Sequence, residues 1–490
     1  MPVDAHQRRL TLALYLLCVA VLMIVLDTTV VTVALPFIAT ELGLSNSSLM
    51  WLVNAYTIPY GGFLLLSGRL GDLYGPRRLF LGGVVIFTLA SLTCGLAGTY
   101  STLLIARALQ GLAGAVITAV SLSLISNLFA DSAARAKAMA LYGFVCAAGG
   151  GLGDVLGGLL TQVLNWHWIF LINFPIGVAV YVSCGKLLAR DGAFQLSGRM
   201  DVAGAVAITS TSVLTIYALT NGNGLGWSSA QMKCLTGAVA ILLLWFFINE
   251  SRAQEPLIPL RLLRFRNLTL ANVIGVLWAA GAFAWFVIAA FYLQRVLHYG
   301  PLGVGLAFLP ATVTMAVLSI NLSAAVVIRF GSRGPLCLGL LLVSAGLSLF
   351  ARAPANGKFL LDVLPGMLLL GLGGGLTATP LLVNAMADVK ESDSGLASGV
   401  ANTSMMLGGA LGLAILTSAA EARTDALGAL GLQPIAALNA GYHLAFIIGA
   451  ALTAVAAVLG TFVLQSNEPS RRMPECNELA AAAPKDQSVM

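Results

Sequence analysis

Fourteen separate stretches of this chain are apolar enough to cross a lipid bilayer, and that repetition constrains the fold more than any motif does. A hydrocarbon core needs roughly 20 apolar residues per helix. The runs fall near residues 10–36, 50–68, 79–98, 102–126, 139–162, 168–188, 202–221, 233–249, 270–293, 301–326, 335–351, 360–386, 396–419 and 441–465. Backbone polar groups in lipid must be satisfied within the segment, so each run is expected to be a helix and the whole an all-α membrane protein. Only 9% of the 490 residues are charged and 58% are hydrophobic, whereas soluble domains carry about 25% charge. Those proportions exclude a soluble enzyme, a disordered chain and, despite a net charge of +6, a nucleic-acid binder. Glycine reaches 53 residues, an enrichment that lets spanning helices approach closely.

The distribution of Lys and Arg gives an independent test of the helix count. With residues 1–10 in the cytoplasm, Lys233, Arg295, Arg352, Lys358 and Arg423 fall outside, Arg107 falls within a helix, and every other Lys and Arg falls inside. A missed span would invert every later loop and scramble this bias. Fourteen spans with both termini cytoplasmic in the plasma (inner) membrane is therefore the expected topology, and residues 466–490 read as a disordered cytoplasmic tail. The positive charge then reports orientation and contact with anionic lipid. The seven cysteines are scattered singly, so neither a disulfide framework nor a metal site is expected. No Gly-x-x-x-x-Gly-Lys-Ser/Thr loop is present to hold a nucleotide. No cofactor is expected, and an ion gradient would supply the work.

Between the second and third runs stands Gly68-Arg69-Leu70-Gly71-Asp72-Leu73-Tyr74-Gly75-Pro76-Arg77-Arg78. A shorter echo, Arg329-Phe330-Gly331-Ser332-Arg333, stands between the tenth and eleventh. Repeated halves are a hallmark of secondary transporters. A plain duplication of six helices would place the echo six helices later, but it comes eight later. Two helices are therefore inserted: six-helix bundles at 11–190 and 266–465 flank a two-helix linker at 191–265.

The first of these loops resembles the signature Gly-x-Leu-x-Asp-x-x-Gly-x-Arg-Arg of the major facilitator superfamily, with Pro76 where a basic residue is usual. Leu103-Leu104-Ile105-Ala106-Arg107-Ala108-Leu109-Gln110-Gly111 is similar to the family's fourth-helix motif. Gly149-Gly150-Gly151-Leu152-Gly153-Asp154-Val155-Leu156-Gly157-Gly158 is similar to its fifth-helix antiporter motif. Leu26-Asp27-Thr28-Thr29-Val30-Val31-Thr32-Val33-Ala34-Leu35-Pro36 resembles the first-helix signature of the fourteen-helix drug:proton antiporters. So do Trp166-His167-Trp168-Ile169-Phe170-Leu171-Ile172-Asn173-Phe174-Pro175-Ile176-Gly177 and Gly395-Leu396-Ala397-Ser398-Gly399-Val400-Ala401-Asn402-Thr403. The resemblance covers roughly residues 10–465 and implies a major facilitator fold with two pseudo-symmetric halves. It implies export of lipophilic or cationic drugs and antibiotics in exchange for protons. Two departures stand out: Asp154 where the family has Pro or a small apolar residue, and Met405-Met406 where a polar pair is frequent.

Ionisable groups are costly in hydrocarbon and are functional candidates by default. Of the acids only Asp27 and Asp154 lie deep in apolar runs, and of the bases only Arg107. At about 1.5 Å per residue their depths from the outer surface are roughly 13, 10 and 8 Å. Arg107 would then favour the ionised form of Asp27 or of Asp154 while burial favours the neutral form. Such a carboxyl exchanges protons between the two sides, and a cationic or polar substrate competes for it. Asp72, Arg77 and Arg78, with Gly68 and Gly75, read as a cytoplasmic gate. In the fifth helix Gly149, Gly153 and Gly157, beside Gly150, Asp154 and Gly158, present a face against which another helix slides. Asn54, Tyr56, Gln110, Tyr292, Gln294, Asn384 and Asn402 are candidates for the substrate cavity. The expected partners are a small molecule, protons and the bilayer, with a monomer as the working unit. A dedicated exporter of one secondary metabolite and a proton-coupled importer are the alternatives within the class. An enzyme or sensor is disfavoured because four scattered histidines make no catalytic cluster and the tail is too short for an output domain.

Overall fold

The computed structural model describes residues 2–462, apart from 130–131, 189–200, 227 and short stretches within 254–260, 320–330 and 388–393. The tail expected at 466–490, the join at 191–200 and Phe330 of the echo lie outside the described residues. The chain forms α1 (Pro2–Leu42), α2 (Asn46–Tyr74), α3 (Pro76–Gly95), α4 (Tyr100–Leu128), α5 (Ser132–Val163), α6 (Trp168–Leu187) and α7 (Val202–Leu225). There follow α8 (Ala230–Arg252), α9 (Arg266–Val296), α10 (Pro301–Val317), α11 (Arg333–Phe350), α12 (Phe359–Met386), α13 (Ser394–Ala429) and α14 (Pro434–Phe462). No strand occurs among the described residues. Thirteen of these helices are long and apolar enough to cross a membrane, and α10, with 17 described residues, is shorter.

Two helices run further than their apolar stretches. α1 begins at Pro2 and carries Arg8 and Arg9, and α13 continues to Ala429 through Glu421, Arg423 and Asp425. Hydropathy marks where the chain leaves hydrocarbon, whereas charged residues remain good helix formers beyond that point. Elsewhere capping side chains begin the helices. Ser45 accepts from the Ser48 amide at 3.2 Å, Thr99 from Thr102 at 3.3 Å, and Asp201 from Gly204 at 2.7 Å. Each satisfies an amide that the first helical turn leaves open. Gly75 (φ 95°) and Gly331 (φ 74°) turn the chain just before α3 and α11, in a backbone region that other residues rarely adopt.

The halves are alike down to the pairs of helices that touch. In α1–α6 the main contacts include α1 with α4, α5 and α6, α2 with α4, and α3 with α4 and α6. In α9–α14 the corresponding contacts recur: α9 with α12, α13 and α14, α10 with α12, and α11 with α12 and α14. The halves meet along two seams, α5 against α10 and α2 against α13, which are equivalent under the same correspondence. The inserted pair breaks that equivalence. α7 lies against both α2 and α13, with α8 outside it. Leu65, Leu66, Ala205 and Val400 form one apolar cluster there, and Ile58, Ile216, Ala410 and Ala414 another. Asn249 of α8 donates to Asp201 at the start of α7 at 2.8 Å, tying the pair together.

Candidate functional site

Asp27 and Arg107 meet inside the N-terminal half. The Arg107 Nη1 donates to Asp27 Oδ2 at 2.5 Å, and the two residues are 2% and 0% exposed. The second carboxylate oxygen, Oδ1, accepts from Gln110 Nε2 and from Asn173 Nδ2, both at 3.0 Å. Gln110 also accepts from Arg107 Nη1 at 3.1 Å and donates to Ser91 at 2.7 Å. The guanidinium lies 4.4 Å from the Tyr56 ring centre and 5.7 Å from that of Phe170, both within cation–π range. Its Nε donates to the Leu52 carbonyl at 3.4 Å. Five helices thus converge on one carboxylate: α1, α2, α3, α4 and α6. Desolvation of two ions costs several kcal/mol each and is offset only when charge pairing and hydrogen bonds are this complete.

Local sequence explains the geometry. Arg107 and Gln110 are three residues apart, hence on one face of α4. Asn173 reaches the site because α6 is interrupted at Ile172 and resumes at Asn173. Pro175 has no amide to donate to the Leu171 carbonyl, so the ladder opens there. Asn173 and Ser91 were not among the residues that sequence singled out. Neither carries charge or breaks a pattern, and the one available signal was a polar residue just before Pro175 in an apolar run.

Of the two candidate acids, only Asp27 takes the guanidinium. Asp154 lies elsewhere, in the seam between the halves. It is 1% exposed, and its Oδ2 has no hydrogen-bond partner among the described residues. The glycines around it divide between two neighbours. A methyl group added at Gly157 would stand 2.8 Å from the Val30 Cα, and the positions of Gly149 and Gly153 likewise face α1. One added at Gly158 would stand 2.5 Å from the Pro301 carbonyl oxygen, and Gly151 faces Thr312, so these meet α10. Gly150 faces open space instead. The α-helical period of 3.6 residues puts 151, 154 and 158 in line rather than 150, 154 and 158. One helix therefore presents a small-residue row within its own half and another across the seam.

The remaining candidates are dispersed. Tyr56 and Gln110 belong to the Asp27 cluster. Asn54 is fully buried and its amide has no hydrogen-bond partner among the described residues. At the C-terminal end of α9, Tyr292 donates to the Pro354 carbonyl at 2.8 Å and Gln294 to the Val33 carbonyl at 2.9 Å, the latter joining the two halves. Asn384 accepts from Ser332 at 3.0 Å, and Asn402 is exposed and bonded to the Ser398 carbonyl of its own helix. A cavity of about 530 Å³ opens between the halves on the side of the C-terminal end of α9. Met50, Phe291, Arg295, Thr417, Glu421 and Tyr442 are among its lining residues. In the gate motif, Arg77 donates to the Gly185 carbonyl at 2.6 Å and, nearby, Arg9 to the Leu187 carbonyl at 3.0 Å. Both place positive charge on the carbonyl end of α6. Gly68 faces open space, and Gly75 makes the turn. Arg78 lies exposed on the first turn of α3, and the Asp72 side chain lies outside the described residues.

The Major Facilitator Superfamily model matches residues 17–413. The chain belongs to that family. A puromycin resistance protein of Streptomyces alboniger is 35% identical over 92% of this chain and 91% of its own length. A cephamycin export protein of Amycolatopsis lactamdurans is 34% identical over 85% of this chain and 86% of its own. Among solved structures, an auto-inhibited POT family peptide transporter superposes with a TM-score of 0.68 at 16% identity, covering 94% of this chain and 98% of that one. That likeness concerns the fold alone. The chain is thus a multi-pass membrane transporter of a family whose members here include antibiotic resistance and export proteins.

Proposed function

We propose that this chain exports antibiotic-like small molecules across the plasma membrane, driven by protons entering in the opposite direction. The observation that carries the coupling is the fully buried Asp27–Arg107 pair. Both oxygens of Asp27 are met by donors in this arrangement. To take a proton it must part from Arg107, and that requires α1 and α4 to shift. Binding a proton is thereby linked to a change in helix packing, which is the element alternating access needs. Both termini face the cytoplasm in this reading, by the Lys/Arg bias. A single chain contributes both halves, so a monomer contains the whole pathway, and no nucleotide or metal takes part.

The names of the relatives favour export over uptake. The two relatives above, each named for a single antibiotic or compound class, also support a narrower version, a transporter dedicated to one secondary metabolite, whereas a relative named as a multidrug resistance protein supports the broad one. The mixed lining of the outer cavity, aromatic with charges of both signs, suits an amphipathic compound leaving the protein. Everted vesicles containing the chain provide the test. With an acid interior, adding a panel of antibiotics should draw protons out as the compounds accumulate inside. Compounds that accumulate without a proton gradient, or that move only outward, would overturn the export reading. A response to one compound alone would establish the dedicated version.

A further inference from the structure

We propose that Asp154 is a second proton-carrying site, set in the α5–α10 seam, that takes up a proton as the outer side of the two halves closes. The inference rests on the alternating access proposed above, but not on which molecule is exported.

The setting differs from that of Asp27 in each respect that governs a carboxyl group. Asp27 has a guanidinium and two amide donors. Asp154 is as deeply buried, yet its Oδ2 has no donor and no charged group lies close enough to act on it among the described residues. Of the elements packed against α5, α10 carries no ionisable side chain at all. α1 turns Asp27 towards Arg107 of α4, and its Glu41 lies at the outer end, 3.8 Å from His167 ahead of α6. Lys186 lies at the opposite end of α6. A bare carboxylate in such surroundings costs several kcal/mol or more, so the group is neutral and holds its proton in the closed seam.

Position makes this protonation conditional on conformation. The Asp154 carbonyl sits against Gly305 of α10, so the two backbones are in direct contact there. One turn outward, about 6 Å along the helix, Gly158 meets Pro301 and Leu302 at the start of α10. One turn further outward the Gln162 side chain accepts the Leu302 amide at 3.1 Å. When the halves part on the outer side, that bond and these glycine contacts separate and water reaches the carboxyl. In water the proton leaves to solvent; on closing, a proton from outer water rebinds the carboxylate before α10 reseals. Only an O–H bond forms and breaks. Asp27 stays inside one half throughout, whereas Asp154 senses the gap between the halves.

Linkage gives the size of the effect. If closing binds one proton here, the ratio of outward-open to closed molecules rises tenfold per pH unit wherever the open state is ionised and the closed state is not. The test uses the full chain in lipid nanodiscs without substrate. Spin labels at Gly98→Cys and Asn356→Cys sit in exposed outer loops of opposite halves; Cys146, Cys234, Cys337 and Cys476 are replaced by serine. Pulsed distance measurements from pH 5 to pH 9 report the open fraction. Wild type should open with rising pH at close to tenfold per unit. Asp154→Asn, which mimics the neutral form, should stay closed and lose that slope; Asp154→Val serves if the Asn variant is unstable. Asp27→Asn should keep the part of the slope that Asp154 supplies, and any remainder in Asp154→Asn belongs to Asp27 and not to this seam. A full wild-type slope in both Asp154 variants overturns the proposal. Failure to export any antibiotic would leave this measurement unaffected, so the two readings fail separately.

Discussion

The two six-helix halves bring the same pairs of helices together, yet they differ in what they bury. The N-terminal half encloses Asp27, Arg107 and Asp154. In the C-terminal half the buried polar side chains described are Asn267, Thr312, Thr377, Asn384, Thr403, Asn439 and Thr453, all neutral. Most of those with a described bond use it to tie a helix to itself or to a neighbouring loop, as Thr377 bonds the Gly373 carbonyl and Asn439 the Ala353 carbonyl. Duplication of a helix scaffold thus leaves chemistry free to diverge, because packing needs small residues and shape whereas proton coupling needs ions. One half buries ions, and the buried polar side chains described in the other are neutral.

That contrast can be broken most directly at Asp27. Asp27→Asn should abolish proton-driven export while leaving the protein inserted, since an intramembrane acid of this kind is a functional group by default. Efflux of a recognised compound from vesicles, with membrane insertion checked alongside, measures it; near-normal efflux would mean that the charged half is not the coupling half. Arg107→Ala should lower thermal stability in detergent by about 3–5 kcal/mol, since it strands a buried carboxylate. Adding Asp27→Asn to that variant should restore most of the loss, because removing both partners is far less costly than removing one. A smaller effect is expected at Asn173. Its replacement by Ala removes one of two donors to Oδ1 and should cost about 1.5–3 kcal/mol, read in the same unfolding assay. The C-terminal half supplies the weakest case. Asn402→Ala breaks only a bond within its own helix and should change export less than twofold, and a larger loss would place coupling chemistry in the half whose described buried polar side chains are neutral.

Sequence reading reached some of this and stopped for physical reasons. The number and order of the helices were legible because lipid imposes one rule on every span. The proximity of Asp27 and Arg107 was legible only as equal depth, since hydropathy measures distance from the surface and not direction around a helix. For the same reason Asp154 was an equal candidate for Arg107, although it faces the seam. Its row on α5 was read at a spacing of four, and the true helical period replaces Gly150 by Gly151 in the contact with α10. Tyr292 and Gln294 were cavity candidates as aromatic and polar residues beside an apolar run, but carbonyls at Pro354 and Val33 take their hydrogen bonds. The ends of α1 and α13 were invisible to hydropathy, which marks the bilayer boundary and not the last helical turn.

The inserted helices have a mechanical consequence. α7 and α8 shield the join of α2 and α13, whereas among the described residues no equivalent helix pair covers the opposite flank, where α5 and α10 touch. Lateral pressure and acyl-chain length then bear unequally on the two flanks of a molecule that is otherwise close to twofold. A thinner or stiffer bilayer would bias the tilt in one sense rather than simply slowing it.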